Sequence, residues 1–89
     1  MTVKTHPWSL IIEIPYRQKN SRTIRDEIEK KLSKIGKWVG HGTGFGVHDV
    51  CVAFKTKKDL EKAKTVAIHI MFKRHVSGRY IIRNELGDK

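Results

Sequence analysis

Two histidines, His41 and His48, bracket the run His-Gly-Thr-Gly-Phe-Gly-Val-His, and their types and spacing could serve acid and base chemistry. Imidazole changes charge near neutral pH, so one ring can take a proton while the other gives one. With a cation such as Arg17 to hold a scissile phosphate, the pair would make a metal-independent ribonuclease. Asp49 is the one acidic residue close to the run, so a carboxylate pair for two-metal nuclease chemistry is lacking. His41, His48, His69, His75, Asp49 and Cys51 show neither the spacing of a zinc knuckle nor that of a helical histidine pair, and no metal or other cofactor is expected. Cys51 falls in mid-strand, where a thiol packs more readily than it reacts. The three glycines of the run supply the positive φ that a tight hairpin needs. No helix opens directly after it, which excludes a nucleotide-binding P-loop and a dinucleotide fingerprint. No residue is assigned a catalytic role on this reading.

Charge is the stronger signal. The 89 residues carry 19 Lys and Arg against 9 Asp and Glu, for a formal charge of +10 and a pI of about 10.1. A balance this basic points to a polyanionic partner. The excess is even, +5 in residues 1 to 45 and +5 in residues 46 to 89, so it is not a detachable arm. The length suits one domain, residues 1 to 89, with 1 to 7 and 84 to 89 expected to fray. A single cysteine forms no internal disulfide, and neither an apolar signal core nor a membrane-spanning stretch is evident. These features fit a cytoplasmic protein with no membrane partner.

The elements that must position these residues follow from hydrophobic period. Residues 8 to 15 read as strand one, with Leu10, Ile12 and Ile14 on one face and Pro15 ending it. A loop over 16 to 22 carries Arg17, Lys19 and Arg22 without an acidic residue. Helix one follows, its N-cap at Asn20, Ser21 or Thr23, its stripe Ile24, Ile28, Leu32 and Ile35, and Gly36 its stop. Asp26, Glu27 and Glu29 are expected near its start, where the helix dipole favours them. Strand two spans 37 to 42 and strand three 47 to 54. A two-residue turn at Gly44 and Phe45 sets His41 opposite His48, Val39 opposite Val50, and Trp38 near Cys51 on the other face.

Thr56, with Asp59 three residues on, caps a second helix over 57 to 73. Residues 65 to 72 also alternate as a strand would, and the helix is preferred for its length, its cap and its lack of turn residues. On that helix Lys58, Lys62, His69 and Lys73 share the outward side, flanked by Ile68 and Phe72. Residues 79 to 83 make strand four. The order strand, helix, strand, strand, helix, strand predicts an α+β, ferredoxin-like two-layer sandwich. Its antiparallel sheet has the strand order 4-1-3-2, with both helices on one face.

In element order, and in Gly44-Phe45-Gly46, Val52-Ala53-Phe54 and the stretch from Lys57 to Ala63, the chain resembles the RNA-recognition motif family. The resemblance implies the same sandwich and an RNA-binding sheet. Aligned on Phe54, however, Asp49 and Cys51 stand where that family keeps base-stacking aromatics, and Ile11 and Glu13 hold the centre of strand one. The chain is also similar to small ferredoxin-like proteins with glycine-rich hairpins and no assigned role.

This topology sends the loop after strand one, the central hairpin and the loop before strand four to one end. Arg17, Lys19 and Arg22 would gather there with His41, His48, Arg74, His75 and Arg79. Together with Lys58, Lys62 and Lys73 they predict a non-enzymatic nucleic-acid-binding protein, RNA before DNA, that holds phosphates. An alternative is a protein-interaction module, such as an immunity protein, a phage-borne inhibitor or an assembly accessory, docking on an acidic protein or forming a homodimer. Its interface would be Trp38, Ile68, Phe72 and Tyr80, with Trp38, Ile11, Cys51 and Tyr80 or Ile82 on the open sheet face. The His41 and His48 ribonuclease is the second alternative.

Overall fold

The computed structural model describes residues 5 to 84. The chain ends beyond them, most of the length expected to fray, lie outside the described residues. The elements run β1 (Trp8–Pro15), α1 (Ser21–Leu32), β2 (Lys37–Gly44), β3 (Val47–Phe54), α2 (Lys57–Lys73) and β4 (Arg79–Asn84). The sheet is antiparallel throughout, in the order β2-β3-β1-β4. This is the ferredoxin-like sandwich that the element order predicts.

The core lies between the sheet and the helices. Leu10, Ile12 and Ile14 of β1 and Val50, Val52 and Phe54 of β3 share the helix-facing side and are fully buried. Ile24, Ile28 and Leu32 of α1 and Leu60, Ala63, Ala67, Ile70 and Met71 of α2 close over them. The spacing of the α2 set is helical, which decides residues 65 to 72 in favour of helix. Thr56 caps that helix, its Oγ1 accepting the Asp59 N–H at 3.1 Å.

Helix α1 is built differently from the expectation. Asn20 precedes it at φ 61 and makes no side-chain cap, and its first turn holds no acidic residue. Asp26, Glu27 and Glu29 begin only in the second turn, too late for the dipole to matter much. The helix ends at Leu32 with Ser33 as C-cap, and Gly36 serves packing instead. A Cβ on Gly36 would lie 2.5 Å from both the Ala53 carbonyl oxygen and the Phe54 ring.

The central hairpin corrects the expected register. Its turn residues are Phe45, at φ 52, and Gly46, at φ 79, one residue later than expected. Two positive φ values in a two-residue loop make a type I′ turn, which matches the twist of the strands. The later turn slides β2 by two residues along β3, so His41 pairs with Val50 and Thr43 with His48. A bulge at Val39 then reverses the faces, because Gly40 pairs with Cys51 while Trp38 pairs with Val52. Trp38 is thereby turned to the helix side of the sheet, not to the open face. Tyr80 and Ile82 pair with Ile12 and Leu10 and lie on the helix side as well.

Candidate functional site

What remains on the open face is a shallow basin of about 480 Å³, lined in part by Ile11, Glu13, Asp49, Cys51, Ile81 and Arg83. Register explains its contents. Ile11 pairs with Cys51 on one side and Ile81 on the other, so three apolar side chains form a floor across β3, β1 and β4. Glu13 pairs with Asp49 and with Arg79 in the same way. Two carboxylates directly opposite repel, and the Arg79 Nε–H, which donates to Glu13 Oε1, offsets the charge of only one. Among the described residues, the Asp49 carboxylate has no hydrogen-bond or ion-pair partner. Arg83, opposite Ser9, stands at the other end of the basin.

On the β2 side the basin is bounded by Val39, Gly40 and His41. Gly40 and Gly42 occupy the positions opposite Cys51 and Asp49, where side chains would otherwise cover the floor. A Cβ on Gly40 would meet nothing within 4 Å, and one on Gly42 only the Asp49 carboxylate, at 3.6 Å. Neither glycine is demanded by close packing, and neither has a positive φ. Their effect is to leave room.

The residues singled out for nucleic-acid binding are divided among several surfaces. Arg17, Lys19 and Arg22 are exposed beside the hairpin, to which the Tyr16 N–H is joined by a 2.8 Å hydrogen bond to the Gly46 carbonyl. His48 shares a 2.8 Å hydrogen bond with Thr43 Oγ1 and meets the Tyr16 ring edge-on at 4.7 Å. His41 is held 2.7 Å from Glu29 of α1 and touches the Trp38 ring. The two histidines therefore do not form a pair across the hairpin. Arg74 binds Glu27 at 2.8 Å, and Arg79 binds Glu13. Lys58, Lys62, His69 and Lys73 are exposed on α2, and His75 lies just beyond it.

Of the expected interface residues, Ile68, Phe72 and Tyr80 come together with Met71, Val76 and Gly78 around a hollow of about 310 Å³. Trp38 is on the opposite edge strand. A third hollow, of about 430 Å³, lies between the helices and includes Glu27, Lys31, His69 and Lys73. Among the described residues, no group of three or more His, Cys, Asp or Glu is placed to hold a metal ion.

Sequence reasoning missed Gly40, Gly42 and Arg83, and it also missed Arg25. This arginine is buried in α1, donating to the Gly42 carbonyl at 3.2 Å and to Asp26 Oδ1 at 3.1 and 3.2 Å. The one sequence signal for it is its position directly after Ile24, at the edge of the apolar stripe.

No family model and no curated protein sequence matches the chain. Solved structures do. A protein described as an antibiotic biosynthesis monooxygenase from Nitrosomonas europaea superposes with a TM-score of 0.62 over 94% of each chain, at 9% identity. SnoaB, a cofactor-independent oxygenase from Streptomyces nogalater, gives 0.63 over 91% of this chain and 94% of its own, at 3% identity. A nipsnap family protein of unknown function from Agrobacterium tumefaciens gives 0.56 over 92% and 90%, at 13% identity. At such identities the likeness is one of fold.

These findings correct the expectation of a nucleic-acid-binding protein. The natural structures that share this fold along nearly the whole chain include two oxygenases, and none of the three is described as binding nucleic acid. Two of the expected cations, Arg74 and Arg79, are engaged by Glu27 and Glu13. The ribonuclease alternative loses its histidine pair, since His41 is held by Glu29 and His48 by Thr43, and an interaction module built on an open-face Trp38 falls with the bulge.

Proposed function

We propose that the protein binds a small organic molecule on the open face of its sheet. The observation that carries this reading is the basin floored by Ile11, Cys51 and Ile81, which Gly40 and Gly42 leave open and in which Asp49 has no partner among the described residues. Its volume, about 480 Å³, falls within the roughly 300 to 1,000 Å³ typical of small-molecule sites. An apolar floor with a few convergent polar groups is the usual composition of such sites, the floor supplying affinity and the polar groups orientation. Here a free carboxylate at one end and a guanidinium at the other favour a compact apolar body with a donor group facing Asp49. The oxygenases of the same fold are consistent with small-molecule chemistry on this scaffold.

Fragment screening by NMR tests the reading, with a library of aromatic and alicyclic amines, phenols and acids. Binders should shift the backbone amides of Ile11, Cys51 and Ile81, and Gly40→Leu should abolish them while the spectrum stays dispersed. Amines should lose roughly fivefold or more in affinity on Asp49→Asn, the size of one charge-assisted hydrogen bond. Binders that map to the groove between the helices, or that ignore Gly40→Leu, would count against the basin.

A further inference from the structure

A type I′ turn needs positive φ at both central residues, and Asn-Gly or Gly-Gly meets that need at least cost. This hairpin has Phe45 at the first position, at φ 52. A bulky residue in the left-handed region is a true outlier, since its Cβ crowds the backbone. Phe45 gains nothing in return from the fold, because its side chain is fully exposed, at 109%. Phe72, in the last turn of α2, is 81% exposed, and Tyr16, in the loop after β1, is about half exposed.

All three aromatics lie at one end of the molecule. The Tyr16 N–H binds the Gly46 carbonyl at the hairpin, and Gly78, just past α2, packs against the Glu13 carbonyl and Ile14 near the end of β1. Phe45 is in the β2–β3 turn and Phe72 lies on α2 beside Tyr80 of β4, so the two stand toward opposite edges of the sheet. Between and around them are Arg17, Lys19, Arg22 and Lys73, all exposed. Among the described residues none of these four is in an ion pair, whereas Glu27, Asp26 and Glu13 at this end are each matched to an arginine, which leaves Asp49, opposite Glu13, as the one unmatched carboxylate near it. The end is therefore cationic with projecting apolar corners.

We propose that this hairpin end docks on an anionic lipid surface, with Phe45 and Phe72 entering the boundary between headgroups and acyl chains. Arg17, Lys19, Arg22 and Lys73 then meet the headgroup charges. A groove on a protein partner would have to match two phenyl groups on a convex end. A bilayer surface is flat, fluid, anionic outside and apolar within, and takes both without shape complementarity. No helix of the described residues is long and apolar enough to cross a membrane, and docking from the surface requires none. The sequence-based expectation of no membrane partner rests on the lack of an apolar signal core and of a spanning segment, neither of which surface docking needs. The site is separate from the open-face basin, so either proposal can fail alone.

Flotation with phosphatidylcholine vesicles, with and without phosphatidylserine, is the test. The intact chain should float only with the phosphatidylserine vesicles, and salt should release it. Phe45→Asn improves the turn while removing the apolar corner, so a folded variant is assured, and it should bind roughly tenfold more weakly, as should Phe72→Asn. Phe45→Trp should retain binding, because indole favours the interface. Replacing Arg17, Lys19 and Arg22 by Ala should lower partitioning by roughly fivefold per charge. The proposal is overturned if the wild type stays unbound at low salt. It is also overturned if the double variant Phe45→Asn, Phe72→Asn floats as well as the wild type. Binding to soluble polyglutamate but to no vesicle would assign this end to an acidic protein instead.

Discussion

Arg25 joins two layers that meet mainly through apolar contact, the other polar link from α1 to β2 being that of Glu29 with His41. Its guanidinium reaches from α1 to the Gly42 carbonyl on β2, while Asp26, itself about half exposed, offsets the charge from the solvent side. A buried charge is tolerable only when paired and hydrogen-bonded, and both conditions hold here. Arg25→Ala should cost about 3 kcal/mol in urea denaturation, from lost packing along the stem and lost charge-assisted bonds. Arg25→Met keeps most of the volume and leaves no buried charge behind, so its cost should be about 1 kcal/mol. Faster hydrogen exchange in β2 should accompany both, since that strand keeps only its His41 tie to Glu29 of α1. Only its place beside Ile24, at the edge of the apolar stripe, marks Arg25 in the sequence, and Arg at such a position would ordinarily extend to water. Its burial depends on the carbonyl of a glycine 17 residues away.

The elements themselves were legible wherever side chains mark their faces. Leu10, Ile12 and Ile14 announce β1, and the α2 set announces its helix, so order and topology followed. The hairpin register did not, and the reason is local. Between Lys37 and Gly44 three of the eight residues are glycines, which carry no side chain to show which face is buried. A bulge at Val39 then reverses whatever alternation remains. The basin was illegible for the same reason, being defined by side chains that β2 lacks. Two predictions belong to these elements. Phe45→Asn creates the favoured Asn-Gly turn and should raise stability by about 0.5 to 1 kcal/mol, visible as a rise in Tm of roughly 4 °C. The same change should weaken the lipid docking proposed above, so stability and docking should move in opposite directions. Gly36→Ala forces a Cβ against the Ala53 carbonyl and the Phe54 ring, and the backbone oxygen cannot rotate away. It should cost about 2 kcal/mol or more in thermal or urea unfolding.

For the molecule as a whole, the decisive quantity is an excess of ten positive charges on 89 residues. Among the described residues, four ion pairs to Lys or Arg, each with at least one partner substantially exposed, account for Glu13, Asp26, Glu27 and Glu61, and Glu29 meets His41. Such pairs contribute little each, and salt weakens them. The unmatched cations repel one another over distances comparable with the molecule, whose radius of gyration is 12.4 Å. Salt screens that repulsion too, with a Debye length of about 10 Å at 0.1 M. The two effects of salt oppose, and their relative size follows from the count: 19 cations against 9 anions leave more repulsion to relieve than attraction to lose. Raising sodium chloride from about 10 mM to about 300 mM should therefore raise Tm by a few degrees, about 0.5 to 1 kcal/mol in stability. A fall in Tm would mean that the pairs of Glu13, Glu27 and Glu29 outweigh the global repulsion. The same salt step should strip the protein from anionic vesicles, because there it screens attraction and nothing else. One variable thus separates the two roles of the charge: it burdens the folded chain, and it draws one end of it to a surface of opposite sign.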